Sequence, residues 1–282
     1  MRIAVLLTCH NRARKTEKCL FSLQNAVCRI PHVAFDIYLV DDRSADDTLS
    51  VVRKHFPAVH LIEGSGDLYW AGGMRLAWNT ALGSDFVYDG FLLINDDVVF
   101  SPDFWKEIEK TMDYVKHNYA KEGIYVLSTQ DEKTGAFTYG GHLLRDKLFK
   151  HSFYPVIPSE LPQKCQLTNA NILYISKDAY EEIGILDTHF THSLADFDYS
   201  LTAVEKDFPV LVCPSYGGYC TNDHPDNLLG KRLTFLERYH NLYSVKELAL
   251  KEYLYYLGKH FHWKAPYAFV ILWLKTLFPF IK

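Results

Sequence analysis

Residues 90–100 read GFLLINDDVVF: an apolar run, Phe91 to Ile94, stops on Asn95-Asp96-Asp97 and the chain then returns to Val98-Val99-Phe100. A short aliphatic run without polar alternation describes a strand covered on both faces, the habit of parallel sheets. Two adjacent carboxylates at its end destabilise a fold unless water or a cation meets them. Either this is a solvated acidic turn or it is a place where a cation is held, and the rest of the chain has to decide between the two.

Outward from this stretch, the runs IAVLLT, FDIYLVD, VHLIE and GIYVLS are further strand candidates. Between the first two, Cys19, Leu20, Leu23, Ala26 and Val27 recur at helical spacing within residues 12–27. After the second run, RSADDTLSVVRKHF predicts a helix with Ser44 as N-cap and Asp46 and Asp47 near its positive end. Alternation of strand and helix predicts an α/β fold, a mostly parallel central sheet with helices on both faces. In such sheets ligands bind at the carboxyl ends of the strands. Thr8-Cys9-His10-Asn11, Asp41-Asp42 and Asn95-Asp96-Asp97 each stand at such an end. Later in the chain CQLTNANILYIS reads as one strand, KDAYEEIGIL and ADFDYSLTAVEKDF as helices and PVLVC as a strand.

The totals are those of an ordinary globular chain: 282 residues, 48% hydrophobic, 23% charged, net charge −4. Such a charge argues against a general nucleic-acid binder. It is unevenly spread, however: residues 231–282 hold nine Lys/Arg against three Glu, a net of +6, leaving −10 on residues 1–230. The six cysteines form no C-x-x-C pair and no metal-ligand spacing, so they read as small core residues in a reducing compartment. The first apolar run is too short for a signal sequence and reads as a strand, which predicts a cytoplasmic protein.

The motifs VLLTCHNR, YLVDDRSADDT, GSGDLYWAGGMRLAW, LLINDDVVF, TNANILYISKDAYEEIGILD and ADFDYSL, in this order, resemble the family 2 glycosyltransferases of GT-A fold, in particular bacterial enzymes of capsule and O-antigen assembly. The resemblance covers residues 2 to 225. It implies a nucleotide-sugar donor and a divalent ion, Mn²⁺ or Mg²⁺, which hard oxygen ligands suit and which offsets charge on a departing diphosphate. By position Asp97 resembles the metal-binding acid, with Asn95 and Asp96 toward the ribose; Asn95 stands where the first acid is commonest. Asp42 matches the acid that accepts the imide N–H of uracil or thymine, with Thr8 and His10 lining the same pocket, so the expected donor is a UDP- or dTDP-sugar. Arg12 is expected on the donor side as well. Gly72-Gly73 is expected to let backbone approach the ligand, Arg75 to meet the diphosphate, and Trp70 either to wall the sugar or to pack in the core. Asp196 keeps the acid of the acceptor-side motif, where Ala195 replaces the usual Glu, and is expected to be the general base of an inverting transfer. Asp198, two residues on, points elsewhere on a helix and cannot share that task. His224 is expected as a further metal ligand, imidazole suiting Mn²⁺; His189 and His192 flank the acceptor loop.

Residues 231–282 are helical, basic and aromatic. Ala265 to Ile281 is shorter than the ~20 apolar residues a membrane span needs, and interleaved Lys, Trp, Tyr and Phe suggest a segment lying on the inner leaflet, where a lipid-linked glycan acceptor is found; a packed hairpin or a dimer interface is the alternative. The expectation is therefore a GT-A domain over residues 1–230 and a membrane-associating helical extension over 231–282. The rival reading, a non-catalytic nucleotide-sugar binding module, rests on Asn95 and Ala195.

Overall fold

The computed structural model describes residues 1–145, 152–221 and 233–280. The first half alternates strand and helix: β1 (Arg2–Cys9), α1 (Ala13–Val27), β2 (Ala34–Asp41), α2 (Thr48–His55), β3 (His60–Glu63), α3 (Tyr69–Leu82) and β4 (Gly90–Ile94). Then come β5 (Val99–Phe100), α4 (Phe104–Asn118), β6 (Ile124–Gln130), β7 (Phe137–Tyr139), β8 (Gly141–Leu144) and β9 (Phe153–Pro155). They are followed by β10 (Gln163–Lys164), β11 (Leu167–Thr168), β12 (Ile172–Ser176), α5 (Lys177–Ile183), α6 (Ala195–Glu205) and β13 (Val210–Tyr219). The helices α7 (Phe235–Tyr243), α8 (Leu250–Phe261) and α9 (Lys264–Leu277) close the chain.

The main sheet runs β10-β13-β6-β12-β4-β1-β2-β3. Its half β4-β1-β2-β3 is parallel. Beyond β4 it is mixed, because β12 enters antiparallel to both β4 and β6 while β13 returns parallel to β6. The expectation of a mostly parallel sheet thus holds for the N-terminal half. β8, β9 and β11 form a small separate antiparallel sheet.

The period-2 alternation of buried strands places the two helical layers. Ala4, Leu6, Tyr38, Val40, Phe91 and Leu93 face the layer of α3, α6 and α8. Ile3, Val5, Leu7, Ile37, Leu39, Leu92 and Ile94 face α1, α2 and α4. On this count Thr8 falls on the α3 side and Cys9 on the α1 side. The described cysteines are free thiols, and all except Cys28 are buried.

Three local expectations need correction. Ser44 does not cap α2; its hydroxyl bonds Asp41, and Asp46 accepts the Thr48 N–H at 3.1 Å instead. Asp46 also accepts the Ala13 N–H at 3.1 Å, so one carboxylate serves the starts of α1 and α2. The run CQLTNANILYIS is not one strand but two, β11 and β12, broken where Asn169-Ala170-Asn171 turns from the small sheet into the main one. Gly72-Gly73, expected to bring backbone to the ligand, lies instead within the first two turns of α3.

The extension is not an appendage. Tyr256 and Leu257 of α8 are buried in the apolar cluster that holds α3 and α6. Lys259 bonds Asp187 at 3.2 Å and Asp198 at 2.8 Å, and His260 bridges Asp198 at 2.8 Å and Glu205 at 2.7 Å. The domain boundary expected at residue 230 lies outside the described residues.

Candidate active site

Three strand ends and two loops meet at one cleft of about 720 Å³, a size suited to a nucleotide-sized ligand. Thr8 stands at the end of β1 with His10 and Arg12 just beyond it, Asp42 follows β2, and Asn95, Asp96 and Asp97 follow β4. Asn169, Ala170 and Asn171 enter from the β11–β12 turn, and His192, Ser193, Leu194 and Asp196 from the start of α6. The parallel half of the sheet brings its carboxyl ends together, so Thr8, His10, Asp42, Asn95, Asp96 and Asp97, legible in the sequence as strand-end polar residues, share one cleft.

The rim holds unusual backbone. Asn11 (φ 53°), Arg43 (φ 57°), Tyr69 (φ 52°) and Leu194 (φ 67°) are non-glycine residues in left-handed conformation. Each such residue costs on the order of 1–3 kcal/mol and persists where its surroundings over-determine it. At Asn11 the constraint is visible: its N–H donates to Ser44 Oγ at 2.8 Å, and its Oδ1 accepts from Ala45 N at 2.7 Å.

Asp42 lines the cleft while its carboxylate accepts three backbone N–H groups, from Gly66 at 2.7 Å, Leu68 at 2.9 Å and Tyr69 at 3.1 Å. It thus satisfies the orphan donors at the start of α3. An ionised carboxylate has about four lone-pair sites, so roughly one is left for a ligand. His10 bonds the Asp42 carbonyl through Nδ1 at 2.7 Å. Trp70 lines the cleft and donates from Nε1 to Asn95 Oδ1 at 2.8 Å, which orients the asparagine at the end of β4.

The two acids after β4 differ. Asp96 is buried and accepts from Arg12 Nη1 at 2.9 Å and Thr16 Oγ1 at 3.2 Å. Burial pushes its pKa up to about 6, with Arg12 opposing. Asp97 is more open, 3.0 Å from Arg12 Nη1 and 3.9 Å from Lys15 Nζ, with its other oxygen accepting from Cys220 Sγ at 3.4 Å. The question set by residues 90–100 has its structural answer here: Arg12 meets both charges. Among the described residues no group of three or more His, Cys, Asp or Glu is placed to hold a metal ion. Asp97 fits Mn²⁺ or Mg²⁺ as a single oxygen ligand, sufficient where substrate phosphates complete the shell. His224 lies outside the described residues.

Asp196 faces the cleft from the first turn of α6. Its oxygens accept from Ala170 N at 3.1 Å and Phe197 N at 2.9 Å, and burial raises its pKa to about 6 despite these bonds. Asp198 points away to Lys259 and His260, as helical geometry requires.

The structure gives three expected donor-side residues other work. A Cβ on Gly73 would lie 2.2 Å from Thr8 Oγ1, and one on Gly72 3.3 Å from Leu68 Cβ. These glycines bring α3 down onto β1 and do not line the cleft. Arg75 donates to the carbonyls of Asp187 at 3.0 Å and Phe190 at 2.8 Å, fixing the loop before α6, outside the cleft. His192 lines the cleft, whereas His189 stacks on Tyr255 at 3.9 Å. Sequence reasoning assigned no role to Tyr69, Tyr139, Asn169, Asn171 or Lys246, all of which line it. TNAN offered a signal, two polar residues interrupting a strand; Lys246 offered none.

This is the GT-A architecture. Residues 4–126 match the sequence model of the family described as Glycosyl transferase family 2. No curated protein sequence matches the chain. Among solved structures, a mannosyltransferase from Pyrobaculum calidifontis in complex with GDP-Man and Mn²⁺ is 13% identical, with a TM-score of 0.56 over 98% of this chain and 70% of that one. TarS of S. aureus in complex with UDP-GlcNAc is 15% identical, with a TM-score of 0.57 over 98% of this chain and 80% of that one. The chain has the GT-A fold, and the match to the glycosyl transferase family 2 model covers its residues 4–126.

Proposed function

We propose that the protein is an inverting, metal-dependent glycosyltransferase that moves a sugar from UDP or dTDP to a hydroxyl of a lipid-linked surface glycan. The observation that carries this reading is the convergence of Asp42, Asp96, Asp97 and Asp196 on one cleft at the carboxyl ends of β1, β2 and β4. Asp42 would bind the pyrimidine through its remaining lone pair, and Asn95 and Asp96 the ribose. Asp97 would hold Mn²⁺ or Mg²⁺, which supplies positive charge to the diphosphate when bound. Asp196 accepts the acceptor hydroxyl's proton as that oxygen forms its bond to the anomeric carbon. The bond from that carbon to the diphosphate breaks on the opposite face, its electron pair leaving with the phosphate oxygen, and configuration inverts.

A panel of UDP- and dTDP-sugars with Mn²⁺, read first by thermal shift and then by release of nucleoside diphosphate, tests the reading. One pyrimidine donor should raise the melting temperature and turn over, with loss on chelation and in Asp97→Ala. Turnover unaffected by either treatment would refute the metal role. Binding without turnover on any acceptor would favour the non-catalytic module.

A further inference from the structure

The cleft contains a cation that the site as drawn so far leaves without work. Lys246 sits in the turn between α7 and α8, on the extension, yet lines the cleft beside Tyr69 and His192. Its Nζ lies 6.0 Å from the Tyr69 ring centroid, at the outer limit of a cation–π contact. Among the described residues it makes no ion pair. Arg12, the other Lys or Arg lining the cleft among the described residues, already serves Asp96 and Asp97.

The turn is held in place. Glu247 N and Ala249 N both donate to the Ser244 carbonyl at 3.0 Å, and Ala249 is buried with φ 47°. One turn into α8, Glu252 accepts the Thr191 N–H at 3.0 Å, which joins the extension to the loop carrying His192. Lys246 is thus presented to the cleft by an anchored backbone on a side chain long enough to search it.

Four aspartates line this cleft, and a nucleoside diphosphate adds further negative charge to it. One divalent ion on Asp97 leaves the balance negative while Arg12 remains committed. We propose that Lys246 is a diphosphate-binding residue: its ammonium pairs with the phosphate oxygens of the donor and holds the charge that gathers there as the sugar departs. The proposal rests on the donor reading above and adds to it that the C-terminal extension contributes directly to substrate binding.

The test is calorimetry on the full chain with Mn²⁺, comparing uridine, UMP and UDP, and the thymidine series in parallel, for wild type, Lys246→Met and Lys246→Arg. A charged hydrogen bond to the terminal phosphate predicts that Lys246→Met weakens the diphosphate by roughly 10- to 100-fold while leaving nucleoside and monophosphate within about twofold. Lys246→Arg should recover most of the loss. Equal weakening of all three ligands, or a diphosphate bound as tightly as by wild type, overturns the role. A wild type that binds neither diphosphate overturns the donor reading itself, and this proposal with it.

Discussion

Asp196 and Asp198 stand two positions apart and live in different surroundings. Asp198 is buried between Lys259 and His260, an ion-paired tie between α6 and α8. Among the described residues Asp196 meets no cation, only two backbone N–H groups, and burial holds its pKa near 6. A carboxylate poised there is a stronger base than a solvated one and is still ionised at neutral pH. Its pKa is raised, so the ionised form fades as pH falls through about 6. The logarithm of kcat should therefore climb with unit slope below pH 6 and level above it. Asp196→Asn should cost roughly 10²- to 10⁴-fold in kcat, leave donor affinity nearly intact and abolish that acid limb. Loss of donor binding in the same variant would refute the base assignment.

At the scale of the element, α3 connects both ends of the site. Asp42 satisfies its first N–H groups, Trp70 in its first turn holds Asn95, and Arg75 in its second turn holds the loop leading to α6. All of this depends on α3 lying close to β1, which Gly73 permits against Thr8. Gly73→Ala should force the helix outward and destabilise the protein by about 1–3 kcal/mol, read as a lower melting temperature and weaker donor binding together. Gly83→Ala is the control: it ends the same helix at φ −80°, its added Cβ comes no nearer than 3.4 Å to Asn79 O, and stability should hold or rise slightly. Equal effects of the two substitutions would show that the contact with Thr8 does not matter.

At the scale of the whole molecule, the extension packs one side and exposes another. α8 is built into the core, whereas Leu236 of α7 (74% exposed), Phe269 and Val270 of α9, and Phe278 and Phe280 beyond it (79% for Phe280) present apolar surface near Lys264 and Lys275. Among the described residues no helix is long and apolar enough to cross a membrane. We propose that this surface rests on an anionic bilayer. The protein should float with vesicles containing anionic lipid and less so with neutral ones, and Leu236→Ser with Phe280→Ser should reduce flotation several-fold without changing the melting temperature. Failure to float with either vesicle would remove the membrane from the picture.

Much of the site was written in local patterns. Apolar runs that stop on polar residues marked the ends of β1, β2 and β4, and chain direction in a parallel sheet carries those ends to one edge, which is why Thr8, Asp42 and Asp97 were legible together. Helical phase separated Asp196 from Asp198. Tertiary structure alone decided what each group touches: that Asp42 satisfies the start of α3, that Arg75 serves a loop and not the cleft, and that Lys246, 50 residues beyond Asp196, lines the same cavity. Periodicity reports which face of an element is buried, but a hydrogen-bond partner from a distant segment is set by the packing of whole layers, and no local spacing encodes it.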